Sequence, residues 1–148
     1  MVVSLKPATK VSDKLKGMLN DAIAIEIAAS VQYMWQYVQA IGIKGTAVAD
    51  KFKQTAITEM KQAEKIAERL WYLNGVPTTQ LAPIKVGENL KEFLELDAKI
   101  EEEGILLYKK IIDRAQREGD VTTAFMLKEI LEVEEEHHDL FTTMLEEV

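Results

Sequence analysis

The sequence predicts an all-α chain in which four long helices pack as one bundle. Three observations carry this. Glycine and proline are scarce, seven and three in 148 residues, whereas sandwiches and barrels need frequent turn residues. The turn signals that do occur cut the chain into four segments, each long enough for many helical turns. Within each segment apolar residues recur at three- and four-residue spacing, the period of one helix face. A hydrophobic share of 47% over this length suits one core and one domain.

Residues 1–11 read as a tail, leaving residues 12–148 for the bundle. The first helix is expected from a Ser12 cap to about Ile41, where Gly42 and Gly45 mark a short turn. The second runs from Thr46 to about Leu73 and stops before Asn74, Gly75 and Pro77. The third runs from Glu88 to about Glu118, and the fourth from an Asp120 cap almost to Val148. Short first and third connections force antiparallel neighbours, but the second spans about a dozen apolar and proline-containing residues. Helices of about 28 residues are roughly 42 Å long, and a dozen extended residues reach about 40 Å. That link can cross the whole bundle and make the second and third helices parallel, which is the ferritin-like arrangement.

Composition narrows the chemistry. A net charge of −7 offers no basic field for nucleic acid or an anionic membrane and favours cations. No run approaches the 18 or so apolar residues of a membrane span, and the N-terminus has no secretory leader pattern, so a soluble cytoplasmic protein is expected. Without cysteine there are no disulfides, thiolate metal sites or thiol nucleophiles. A metal would have to use oxygen or imidazole.

The chain also repeats. At an offset of 75 residues Leu19, Glu26, Tyr33, Ala40 and Glu59 fall on Leu94, Glu101, Tyr108, Ala115 and Glu134. The first two helices thus look duplicated as the last two, with Gln62 in one half standing where His137 stands in the other. Glu26, Glu59, Glu101 and Glu134 all lie on the apolar stripe of their helix, at similar distances from the short turns. Four carboxylates should therefore meet near mid-height of the bundle. Such a layer must be protonated, hydrogen-bonded or neutralised by cations, and two divalent ions balance four negative charges. One Glu from each of two helices, with Glu-x-x-His from the others, is the established ligand pattern of di-iron carboxylate bundles. The competing reading is a structural polar layer of protonated carboxyls satisfied by Tyr33 and Tyr108. With metal bound, the two tyrosines would lie behind the ligands. Asp97, one turn before Glu101, either orients the His137 imidazole or sits at the stripe edge. Oxygen ligands with imidazole suit iron or manganese, and zinc would also bind.

Four stretches resemble bacterioferritin: LND-x4-E-x6-Y around Glu26, ITEMKQAEKIAERLWYLNGVP around Glu59, VGENLKEFLELDAKIEEEG around Glu101 and ILEVEEEHHDLF around Glu134. The resemblance covers about residues 14–148. It implies a di-iron ferroxidase centre that oxidises Fe(II) with oxygen or peroxide and passes ferric iron to a mineral core. It also implies that Glu26 and Glu101 are terminal ligands, that Glu59 and Glu134 bridge the metals, and that His137 binds the second metal. Met60 matches the methionine that in the family ligates haem between two subunits, although an ordinary interface methionine is the preferred reading here.

Two departures qualify the expectation. On the second helix Gln62 replaces the family's histidine, giving a neutral and weaker ligand. The sequence ends at Val148 without the family's short fifth helix, so a 24-subunit shell, a smaller shell as in Dps-like ferritins, and a dimer all remain open. A homo-oligomer of at least two chains is expected. Rubrerythrin-like peroxidases are a second resemblance, but they carry a further carboxylate where this chain has Gly104. The sequence therefore favours a ferritin-like iron-binding oxidoreductase, over a di-iron enzyme without mineral storage or a binding or assembly protein with a degenerate metal site.

Overall fold

A computed structural model describes residues 7–40 and 46–148. It contains four helices: α1 (Asp13–Ala40), α2 (Thr46–Tyr72), α3 (Leu90–Arg117) and α4 (Val121–Glu146). The expected end of the first helix at Ile41 and its Gly42 and Gly45 turn lie outside the described residues.

The ends of the helices follow from local chemistry. Ser12 Oγ accepts from Leu15 N at 3.1 Å and so caps α1. The same serine donates to Glu118, which Arg114 also contacts, fastening the start of α1 to the end of α3. The third helix begins later than Glu88, because Asn89 is the better cap and accepts from Glu92 N at 3.0 Å. After α2, Asn74 adopts a φ of 65° and Gly75 N donates to Leu70 O at 2.8 Å. A Cβ at Gly75 would come within 2.2 Å of the Leu70 side chain, so any larger residue there would have to displace that buried leucine. After α3, Gly119 takes a φ of 79° and Asp120 N donates to Ala115 O. Asp120 then accepts from Thr123 N at 3.1 Å, so one residue closes α3 and caps α4.

Contacts across the bundle fix the topology. Ser12 meets Glu118, while Glu26 meets Tyr108 and Tyr33 meets Glu101, so α1 and α3 run antiparallel. Arg69 meets Asp120 and Glu59 meets His137, so α2 and α4 are antiparallel as well. His138 meets Glu102 across an antiparallel α3–α4 pair. The second and third helices are therefore parallel, and residues 73–89 form the long crossover. That segment lies along α1. Asn20 bonds Val76 O and Thr78 N, Ala82 N donates to Ala24 O, Gln32 accepts from Lys85 N, and Gln36 donates to Val86 O. An irregular chain must pair its backbone groups somewhere, and here α1 supplies partners.

The core has two parts. Leu15, Leu19, Ile66, Leu70, Ile111 and Leu127 pack at one end. Ala28, Phe52, Phe93, Leu94 and Phe141 pack at the other, with the Phe52 and Phe93 rings edge to face at 6.0 Å. Each fully buried Leu or Phe contributes about 1.5–3 kcal/mol, which offsets the cost of the polar layer between the two parts. Among the described residues no helix is long and apolar enough to cross a membrane.

Candidate metal centre

Each helix delivers one glutamate to that layer. Glu26, Glu59, Glu101 and Glu134 are at most 2% exposed, as the stripe reading requires. Glu59, Glu101, Glu134 and His137 each offer a ligand atom, and these atoms lie within 4.8 Å of one another. His137 Nδ1 is 2.8 Å from Glu59 Oε1 and 3.6 Å from Glu101 Oε1.

Glu26 stands across the layer with Gln62. Oriented so that its donors face acceptors, the Gln62 amide nitrogen lies 3.0 Å from Glu26 Oε2 and 2.5 Å from Glu134 Oε1. The duplication now has a geometric form. His137 meets Glu59 and its neighbour Glu101, and Gln62, so oriented, meets the matching pair, Glu134 and Glu26. The tyrosines obey the same exchange, since Tyr33 donates to Glu101 Oε1 at 2.6 Å and Tyr108 donates to Glu26 Oε1. Both tyrosines are fully buried, and burial followed by the nearby carboxylates keeps their hydroxyls protonated well above the usual range. They therefore act as donors that hold the carboxylates in place.

Asp97 takes neither place that its sequence position leaves open. It is fully buried and accepts from Gln32 Nε2 at 2.8 Å, and no hydrogen bond joins it to His137. The reason lies across the helix interface. Gln32 of α1 points at α3 and supplies an amide donor to Oδ1, so Asp97 is engaged within the α1–α3 pair, while its Oδ2 is buried without a hydrogen-bond partner. Gln32 has no counterpart in the repeat, and nothing in its local sequence signals the pairing. Gln36 did carry a signal, a polar residue on an apolar stripe, and it is fully buried. His138 lies beside the layer, 3.0 Å from Glu102.

Electrostatics sort the four carboxylates. Burial, against the hydrogen bonds it receives, raises Glu26 from 4.5 to about 7. Burial and then the charges of the other glutamates push Glu59 and Glu134 well above the carboxylate range. Burial also opposes ionisation of Glu101, but hydrogen bonds with Glu134, His137 and Tyr33 outweigh it and hold that carboxyl below its usual value. Below about pH 7 and without cations, the layer thus favours protons on Glu26, Glu59 and Glu134 and charge on Glu101.

These groups fit divalent cations. The donors are carboxylate oxygens and imidazole, which suit iron or manganese, and zinc as well. Glu101 Oε2 is buried without a hydrogen-bond partner, a free acceptor that a cation would occupy. Two ions would be held by Glu26, Glu101, Glu59, Glu134 and His137, with Gln62 placed to complete the half that lacks imidazole. Because an amide oxygen is the weaker donor, Gln62→His should tighten the second of two metal-binding steps about 10- to 100-fold in a calorimetric titration. No gain would place Gln62 outside the ligand set.

A parallel-crossover four-helix bundle with a buried carboxylate and histidine layer defines the ferritin-like class. The Ferritin family, a ferritin-like domain, matches residues 16–148, and the chain belongs to it. Its relatives include the bacterioferritin of Brucella melitensis biotype 1, 34% identical over 86% of this chain and 80% of that one. Bacterioferritin from Rhodobacter capsulatus is 32% identical over 89% and 83% of the two chains. Its structure, described with a metal-free dinuclear site and haem iron in a crystallographic special position, has a TM-score of 0.88 at 29% identity. The match covers 93% of this chain and 87% of that one.

Proposed function

We propose that this chain binds Fe(II) at a two-metal carboxylate site, oxidises it with oxygen or peroxide, and serves iron storage or detoxification within a cytoplasmic homo-oligomer. The observation that carries the reading is the exchange-symmetric layer. Each half offers a terminal glutamate, a bridging glutamate and one further donor, His137 or Gln62. Glu26 and Glu101 are the terminal ligands, and Glu59 and Glu134 the bridges.

Iron is substrate and cargo here. Two Fe(II) ions release two electrons, which reduce one peroxide to water or one dioxygen to peroxide. The protein supplies position, charge and exclusion of water. Tyr33 and Tyr108 hold Glu101 and Glu26, and the apolar packing on either side of the layer keeps bulk solvent out. Protons held by Glu26, Glu59 and Glu134 leave as the ions enter.

Met60 is 46% exposed beside an apolar groove of about 470 Å3 that Met34, Trp35 and Ile57 also line. This face suits contact with a second copy, with or without haem between two Met60 side chains.

The deciding experiment counts the Fe(II) ions oxidised and kept soluble per chain in air, with particle size recorded on the same sample. Tens of ions per chain on a large particle are expected. No more than the two ions of a single site, on a small oligomer, would remove storage and leave redox catalysis or binding.

A further inference from the structure

Outside the metal layer, the buried carboxylates among the described residues are Asp97 and Asp120. Asp120 has a cation beside it, Arg69 at 2.7 Å. Asp97 is just as deeply buried, yet the charge that bears on it is the negative one of Glu101. Burying such a carboxyl is costly, and the ligand set does not use it. Its two oxygens differ. Oδ1 accepts from Gln32 Nε2 at 2.8 Å, so the acid proton belongs on Oδ2, which has no partner. The Gln36 amide adjoins the same carboxyl, and its Oε1 is also buried and unpartnered. Burial pushes Asp97 well above the usual carboxylate range, against the hydrogen bonds from Gln32 and Gln36, which favours a carboxyl that starts protonated.

The position of Asp97 joins two regions. Glu101 of the layer lies one helical turn further along α3, on the same buried face, where Tyr33 donates to its Oε1. Towards the surface, Gln32 accepts from Lys85 N and Gln36 donates to Val86 O. The crossover therefore covers Asp97 with irregular backbone at a place where Lys85 is exposed.

We infer that Asp97 is the proton outlet of the carboxylate layer, an inference that rests on the two-metal reading above. Each ion that enters displaces protons from glutamates. Asp97 gives its Oδ2 proton to solvent water when the strap at Lys85 and Val86 lifts, and the Gln32 amide supports the carboxylate left behind. That carboxylate then takes a proton from the layer through a water spanning the turn between Asp97 and Glu101. The carboxyl ends as it began, and one proton has moved from the layer to solvent. Positive ions arriving in the layer drive the transfer outward.

The test follows Zn(II) binding by the whole protein in a stopped-flow spectrometer, with a pH indicator reporting proton release and calorimetry giving the stoichiometry. Zinc exchanges no electrons, so the protons counted come from ligand exchange alone. Asp97→Asn keeps the side chain's size and the acceptor for Gln32 but carries no acid proton. Proton release should slow by at least about tenfold, with two ions still bound at the end, and added formate, a small proton carrier, should restore part of the rate. Gln32→Met removes the amide that supports the carboxylate and should slow release several-fold. Release at the wild-type rate in folded Asp97→Asn would overturn the outlet. Slow release that formate leaves unchanged would assign the effect to packing and overturn it too. If Asp97→Asn does not fold, wild-type release in Gln32→Met overturns it alone. Failure of the unaltered protein to bind Zn(II) removes the two-metal reading and the outlet with it, whereas binding with proton release indifferent to both variants removes only the outlet.

Discussion

Replacing Glu59 with alanine is expected to lower the initial rate of Fe(II) oxidation by at least about 100-fold, more than loss of a group that merely supports a ligand. Glu59 is 1% exposed and within hydrogen-bond distance of His137, and its charge bears on Glu101, Glu26 and Glu134 alike. Removing it takes one of the two carboxylates proposed to bridge the ions and leaves His137 without its nearest partner. The metal-free protein should respond in the opposite sense. Glu59→Gln keeps the shape but removes a group that burial, and then the charge of Glu101, already force to stay neutral. Its metal-free thermal stability above neutral pH should equal or exceed that of the unaltered chain. Oxidation at an unchanged rate in Glu59→Ala would show that the chemistry lies elsewhere.

The metal-free protein should lose stability as pH rises through the neutral range, and bound divalent cations should abolish that loss. The sign comes from proton counts. Between 4.5 and about 7, Glu26 is largely ionised in the unfolded chain and protonated in the folded one. The folded state then binds more protons, so unfolding becomes easier as pH increases. For Glu26 alone the window corresponds to roughly 3 kcal/mol, fully lost once pH exceeds the folded value. Burial moves Glu59 and Glu134 in the same direction. Glu101, held low, contributes oppositely, its stabilisation being present above its ordinary value and lost as pH falls through the lowered one. Thermal unfolding across this range, with and without Mn(II), measures both curves, and proton release on Mn(II) addition gives an independent count. A metal-free curve that is flat or rises towards alkaline pH would contradict this account of the layer.

Much of this was readable in the amino acids, for specific reasons. A glutamate on an apolar stripe is a contradiction within one helix, and four at matching heights resolve it by meeting. Loop lengths settled the parallel placement of α2 and α3, because only the crossover was long enough to return across the bundle. Gln62 could be placed by the repeat, although its contacts with Glu26 and Glu134 needed the fold. Other features carried no periodic signal. The path of residues 73–89 along α1 depends on Asn20, Gln32 and Gln36 meeting irregular backbone, and sequence separation hides such pairs. The sequence leaves Asp97 either to orient the His137 imidazole or to sit at the stripe edge, but its actual partner, Gln32, sits 65 positions away on another helix. The start of α3 shifted because Asn89 competes better than Glu88 for a cap, a contest between adjacent polar residues that spacing does not decide.

The crossover at residues 73–89 has one more consequence. Two identical hairpins could in principle build the same layer as a separate dimer, but every substitution would then occur twice, and both halves would carry imidazole or both an amide. Tethering raises the local concentration of each hairpin for the other to the millimolar range expected of short linkers. It also frees corresponding positions to differ. Residue 62 can be glutamine while residue 137 remains histidine, so the two proposed ion positions need no longer share one affinity or one order of filling. The strap along α1 thus lets a duplicated architecture divide its labour between halves.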